Sequence, residues 1–276
     1  MVARRIAARA APLLLDAAQV AIVAIVFVAP LLWMVTAGFK DPDTVTALPP
    51  QVLFHPTLQN FRTVLTTMPF LRFALNSVVI AGGSTALGVL LGVPAAFAVS
   101  WNRMHWPALL MLAARMAPGA LFLLPWFVMF SAIGAVGSFW VLIVTHAAIT
   151  LPLALWTMLP FFDALPRELT EAARIDGCSD IEVLLRVVLP LVGPGLAVSV
   201  ILCFVFAWNY FLFSLVLSDI HSRTLIVAAF NFVGEGVTDW GALMAAATLI
   251  ALPPVVVTFL GQRWLVAGLT AGAVKG

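Results

Sequence analysis

Charge is what this sequence has least of. Only 9% of its 276 residues are Asp, Glu, Lys or Arg, while 63% are hydrophobic; a soluble domain carries about 25% charged residues. A chain so short of charge cannot cover its own surface with polar groups, which excludes an ordinary soluble globular protein. Lysine is nearly missing. Lys40 and Lys275 are the only two, and neither stands in a Gly-x-x-x-x-Gly-Lys-Ser/Thr setting, so the usual phosphate loop for ATP is excluded. The net charge of +2 is too small to suggest nucleic-acid binding, and no basic tail is present. Cysteine is scarce too: Cys178 and Cys203 have no His or Cys at metal-ligand spacing, so Cys178 reads as a free thiol and Cys203 as a small packing residue. Neither Gly-x-Ser-x-Gly nor His-Glu-x-x-His occurs, and no catalytic or metal residue is assigned.

What the chain does have is long apolar runs. About 20 mostly apolar residues cross about 30 Å of hydrocarbon, and six segments qualify: Ala18–Ala37, Ser77–Ser100, Ala108–Ile133, Ser138–Phe161, Leu191–Ser218 and Gly241–Leu260. The expected fold is therefore all-α, a polytopic membrane protein with six transmembrane helices, the transmembrane body running over 18–267. The first run is read as a span and not a cleaved signal, because it is long and no small-x-small site closes it. Loop arginines and lysines number nine on the side of the N-terminus and four on the other, with Arg115 left out as intramembrane. That bias places both termini, the segment 1–17 and the tail 268–276, in the cytoplasm. Loops 38–76 and 219–240 are then extracytoplasmic. Within the second, the apolar stretch Thr224–Val233 is too short to span and is expected to dip into the bilayer edge or pack on a partner.

The third large connection, 162–190, falls on the cytoplasmic side and reads as a helix–turn–helix. Pro166 suits the first turn of a helix. Leu165, Leu169, Ala172 and Ala173 share one face, with Glu168 and Glu171 beside it. Asp176-Gly177 is a turn signal, Ser179 with Glu182 makes a capping box, and Ile181, Leu184, Leu185, Val188 and Leu189 form an apolar stripe that Pro190 should terminate. Six acids against three arginines argue against a helix lying on lipid, where basic residues prevail. A thin, acid-edged helix suits a groove on a partner protein.

At this point the chain resembles a known family. Glu171-Ala172-Ala173, two residues, Asp176-Gly177, then nine residues to Val187-x-Leu189-Pro190 is similar to the EAA loop of binding-protein-dependent ABC importer permeases, with Cys178 where the family usually has Ala. Leu58-Gln59-Asn60-Phe61, Asn76-Ser77-Val78-Val79-Ile80-Ala81, Ala207-Trp208-Asn209-Tyr210 and the closing run from Gly268 to Gly276 resemble the carbohydrate branch, in particular the second permease of maltose-type importers. The resemblance implies a multi-pass protein of the bacterial inner (plasma) membrane that pairs with a homologous permease. It also implies a dimer of ATP-binding subunits, which hold ATP and Mg while this chain binds no cofactor, and an extracytoplasmic sugar-binding protein. Glu171, Ala172, Ala173, Asp176, Gly177, Leu189 and Pro190 would couple to the ATPase, and loops 38–76 and 219–240 would meet the binding protein.

Other readings stay open at this level. A self-contained secondary carrier of a small polar solute usually places ionisable groups in the membrane, and here the candidates are Arg115 and His146, without an intramembrane carboxylate. Arg115 can snorkel to the inner boundary or take part in gating; His146 reads as a packing residue. Asn209, beside Trp208, either bonds a neighbouring helix or lines the translocation cavity. Pro94, Pro118, Pro125 and Pro152 are expected to kink helices two to four.

Overall fold

The computed structural model describes residues 2–233 and 238–273, with side chains described over 18–233 and 238–264. Among the described residues the chain is all-α, its one β pairing a single bridge between Val233 and Thr238. The helices are α1 (Val2–Gly38), α2 (Pro42–Val45), α3 (Gln59–Thr67), α4 (Phe70–Trp101), α5 (Trp106–Met116), α6 (Ala120–Ala132), α7 (Phe139–Asp163), α8 (Arg167–Ile175) and α9 (Asp180–Glu182). A π-helical stretch Val183–Val188 carries α9 into α10 (Leu189–Leu191), followed by α11 (Gly193–Trp208), α12 (Phe211–Leu217), α13 (Leu225–Ala229), a short 3₁₀ turn Phe230–Phe232 and α14 (Trp240–Ala273).

Among the described residues four helices are long and apolar enough to cross a membrane: Ala18–Gly38 within α1, α4, α7 and Trp240–Trp264 within α14. The number becomes six if each of two bent pairs counts as one span, α5 with α6 at 89° and Asp180–Leu191 with α11 at 90°. The apolar run Ala108–Ile133 is thus not one helix. Pro118 disfavours helical geometry in the residue before it, and Ala117 is extended at φ −64°, ψ 134°. The run Leu191–Ser218 is also interrupted, between Trp208 and Phe211, where Tyr210 is extended. Pro94, Pro125 and Pro152, expected to kink their helices, lie inside single helices. The expected loop 38–76 holds α2, α3 and the start of α4, and the expected separate segment 1–17 begins the helix α1 at Val2. At the other end α14 continues to Ala273, and 274–276 lie outside the described residues.

Two compact units divide the described chain: residues up to 68 with those from 229 to 250, and residues 69–228 with those from 251 on. In the first, Lys40 is folded inward and only 2% exposed. Its Nζ donates to the Gln51 carbonyl at 2.7 Å and lies 4.2 Å from the Trp33 ring centre and 5.1 Å from that of Phe54, an arrangement in which ring quadrupoles face the cation. Asn60 fixes the end of α1 from α3, donating to the carbonyls of Gly38 and Lys40 at 3.0 and 2.7 Å.

The second unit is built on α4, α7 and α11. Ser84, Gly88, Gly92 and Ala96 recur every four residues on α4 and are buried, the small-residue spacing that lets membrane helices approach backbone to backbone. A Cβ on Gly92 would stand 2.7 Å from the Leu151 carbonyl oxygen and 2.9 Å from Ala154 Cβ, and one on Gly88 would overlap Thr150. Thr150 uses this closeness. Its hydroxyl donates across to the Ser84 carbonyl at 2.7 Å, and its own carbonyl accepts the Cys203 thiol of α11 at 3.4 Å. His146 is buried, its Nδ1 bonded to the Leu142 carbonyl at 2.7 Å and its Nε2 to the Ser214 hydroxyl at 3.2 Å.

At the end of the unit where α4 begins, Asn76 donates to the carbonyls of His221 and Arg223 at 2.8 and 2.9 Å, and Leu225 N–H donates to Ser77 Oγ at 2.8 Å. Asp219 organises the turn. Burial pulls its pKa up, but donors from Ser222 N–H, Ser222 Oγ–H and His221 N–H outweigh that and hold it below the usual carboxylate value. The stretch from Thr224 was expected at the bilayer edge or on a partner. Its first half, with Thr224, Leu225, Val227 and Ala228, is buried within the chain, where the two Asn76 bonds and the Ser77 bond draw it onto α4, while Phe230 and Val233 stay exposed.

The glycine contact sets a stability test. Gly92→Leu must push α4 off α7 and should destabilise by about 1–3 kcal/mol, the usual cost of overpacking. Gly82→Ala, where a Cβ meets nothing within 4 Å, should leave stability unchanged or raise it by about 0.5–1 kcal/mol. Thermal unfolding in detergent of both variants beside wild type checks this; equal melting of Gly92→Leu and wild type would refute the close approach.

Candidate functional site

The segment after α7 is closed by its own sequence punctuation. Pro166 stands as N-cap of α8, extended at ψ 132°, one place earlier than its expected position inside the first turn. Glu168 in the first turn and Arg174 in the last complement the helix dipole. At the far end Cys178 N–H donates to Ala173 O and Gly177 N–H to Arg174 O, both at 3.0 Å. These are the two bonds of a Schellman motif, which needs a left-handed residue next to the cap. Gly177 supplies it at φ 88°. Cys178 packs back into the same buried cluster as Ala173, which is the contact that accompanies this motif.

The next helix starts on the capping box read from sequence. Glu182 N–H donates to Ser179 Oγ at 3.4 Å and Ser179 N–H to Glu182 Oε2 at 3.0 Å. The Ser179 backbone and hydroxyl donors, with Arg186 beside them, hold the Glu182 pKa below its ordinary value. Pro190 does not terminate this helix. The preceding turn is π-helical, with Leu189 N–H bonded five residues back to Leu184 O. A widened turn leaves room for a ring and lacks the bond Pro190 cannot make. The chain resumes α geometry, Val192 N–H reaching Val188 O at 3.1 Å, and turns only after Leu191.

The apolar stripe divides. Val183, Leu184 and Val188 are buried with Ala173, and Leu189 packs against them. Ile181 and Leu185 stay 70% and 56% exposed. On α8, Ala173 and Thr170 turn inward, whereas Leu169, Ala172 and Ile175 form an uncovered apolar strip with Glu168, Glu171 and Asp176 exposed beside it. Of the residues assigned to coupling, Glu171, Ala172, Asp176 and Gly177 share this outer surface. Ala173 is inside, Leu189 is half-buried and Pro190 is exposed at the far junction.

Residues the sequence reading passed over tie this segment to α4. The Arg174 guanidinium lies 4.4 Å from the Trp101 ring centre and also pairs with Asp180 at 2.6 Å. Arg167 donates to the Trp101 carbonyl at 3.3 Å. Ser100 donates to Asp163 Oδ1 at 2.5 Å. Two arginines in α8 and an aromatic at the end of a span were the available signal.

Trp208 and Asn209 lie at the α11–α12 break. Trp208 is buried; Asn209 is exposed and donates to Val205 O at 2.8 Å. Its amide therefore bonds its own helix, not a neighbour, at a carbonyl that also accepts the Asn209 backbone N–H at 3.2 Å. Arg115 ends α5 beside the other break, its guanidinium 5.0 Å from the Phe206 ring centre.

The sequence model of the family described as the binding-protein-dependent transport system inner membrane component matches residues 88–271. The trehalose/maltose transport system permease protein MalG of Thermococcus litoralis is 36% identical over 262 residues, 92% of this chain and 94% of that protein. The trehalose transport system permease protein SugB of Mycobacterium tuberculosis is 35% identical over 258 residues, 90% of this chain and 92% of that one. In fold, the chain is similar to a chain in the crystal structure of a bacterial ABC transporter that imports the acidic polysaccharide alginate, with a TM-score of 0.72 at 19% identity over 91% of this chain and 95% of the other. The chain belongs to the family of inner-membrane permease components of binding-protein-dependent ABC transport systems.

Proposed function

We propose that this chain is one permease of an ATP-driven carbohydrate importer, paired with a homologous permease, two ATP-binding subunits and an extracytoplasmic sugar-binding protein. Relatives named for trehalose and maltose transport, aligned over nine-tenths of the chain or more, support a saccharide substrate. The observation that carries the coupling role is the outer surface of α8: apolar Leu169, Ala172 and Ile175 uncovered, acids along the edge, and an Arg174–Trp101 contact behind. A partner groove that accepts this strip and pairs the acids would grip α8. The Arg174–Asp180 pair and the Schellman turn hold α8 to the following helix, so displacement of α8 passes to the end of α4 and from there to α7 and α11. ATP and Mg act on the partner; this chain supplies the lever and half of the pathway. The excess of arginines and lysines on one side supports a topology with both termini and 162–190 in the cytoplasm.

Glu171→Ala should fold and reach the membrane normally while losing a charge-assisted contact worth about 1.5–3 kcal/mol at a desolvated interface. Gly177→Val should be worse. Open space surrounds a Cβ there, so the defect is the φ of 88° forced on a β-branched residue, which re-aims α8. Transport and co-purification of the ATPase, measured for both, should fall in that order; undiminished values in both eliminate the coupling role.

Sidedness has its own test. Half-buried Cys178 should resist a membrane-impermeant thiol reagent in intact cells and react once the membrane is opened, while buried Cys203 stays silent. Labelling of intact cells that Cys178→Ser abolishes would reverse the orientation.

A further inference from the structure

Three candidate spans end around one cleft that the transport reading leaves unused. α4 stops at Trp101, α5 starts at Trp106 and α7 stops at Asp163; between these ends and the first turn of α8 lies a cavity of about 350 Å³. Phe97 and Phe162 form its apolar side, packed edge-on at 5.8 Å. Its ionisable groups are Arg103, His105, Asp163 and Arg167. The one acid is already engaged, by Ser100 Oγ–H and by His105 Nε2 at 3.4 Å. Arg103 and Arg167 have no carboxylate within ion-pair distance among the described residues. Arg167 gives one N–H to the Trp101 carbonyl, which leaves its other donors available. Arg103 is held at φ 51° in the turn between α4 and α5, a conformation that non-glycine residues seldom adopt.

Depth decides what such a cleft meets. Tryptophans at span ends mark the headgroup level of a bilayer; Trp101, which ends α4, lines this cavity, and Trp106 begins α5 next to its lining residue His105. Two guanidiniums at headgroup depth face phosphate oxygens, which they bind with paired N–H donors. Basic pockets between membrane helices on the cytoplasmic side hold anionic headgroups.

We propose that this cleft binds the phosphodiester headgroup of an anionic phospholipid, with Arg103 and Arg167 on the phosphate oxygens and Phe97 and Phe162 against the glycerol end. The bound lipid bridges the α4–α5 turn and the start of α8, bracing the base of the coupling segment. Assignment to the inner leaflet rests on the topology proposed above. The binding itself does not, so reversed sidedness would move the lipid to the other leaflet without abolishing it.

The test is native mass spectrometry and thermal unfolding of the whole purified chain with phosphatidylglycerol or phosphatidylcholine of the same acyl chains. Phosphatidylglycerol should be retained and should raise the melting temperature more than phosphatidylcholine. Each arginine should contribute about fivefold to the preference, so Arg103→Gln with Arg167→Gln should remove about 25-fold, and the two lysine replacements should keep most of it. Arg103→Gln alone leaves the Arg167–Trp101 bond intact and guards against a folding defect, read from melting without added lipid. Equal retention of the two lipids, or a preference that survives the double replacement, overturns the proposal. So does displacement of phosphatidylglycerol by millimolar inorganic phosphate with the same stabilisation, which would make this a site for free phosphate. Loss of ATPase co-purification in the double variant without any lipid preference would assign the arginines to a partner's acids instead.

Discussion

The backbones of α4 and α7 approach so closely that a methyl group on Gly88 or Gly92 would overlap the facing helix. In hydrocarbon, apolar side chains gain little by leaving lipid for one another, so helix association depends on dispersion at short range and on polar contacts. The glycines supply the range and Thr150 the polar contact, bonding Ser84 on one side and Cys203 on the other. α11 is positioned by the same residue. The ends of α4 and α7 are consequently fixed side by side, where Ser100 meets Asp163.

From that fixed end the segment 163–191 continues as a stiff unit. Its stiffness comes from local devices that leave few backbone groups unpaired: a Schellman closure at Gly177, a reciprocal cap at Ser179 and Glu182, and a π-turn that lets Pro190 stay inside a helix. Arg174 stacks on Trp101 and pairs with Asp180 at once, so α8 cannot turn without breaking a contact to α4 or to the following helix.

Much of this was legible because it is local. Hydropathy located the apolar runs, and Gly177, Ser179 and Glu182 announced turn and cap within a few residues of where they act. What escaped depends on distant partners. Ile181 and Leu184 are equivalent in periodicity, yet one is exposed and the other buried, because only packing against Ala173 distinguishes them. Asn209 was ambiguous for the same reason, and no proline signals the break beside it. Pro118 did carry the signal for its break, through its effect on Ala117, but a kink and an 89° turn share one sequence. The spacing of Ser84, Gly88, Gly92 and Ala96 encodes the α4–α7 contact without naming the partner helix. Lys40 was counted as a loop charge; its inward fold depends on Trp33, Phe54 and the Gln51 carbonyl meeting around it.

That enclosure has a chemical consequence. Lys275 is the only other lysine in the sequence, so the chain offers amine-directed chemistry two side chains, and the one at position 40 is sealed between two rings and a carbonyl. Acylating reagents and trypsin reach the Lys40–Asp41 junction only when that cage opens. The reactivity of a single amine therefore reports whether the loop after α1 is closed.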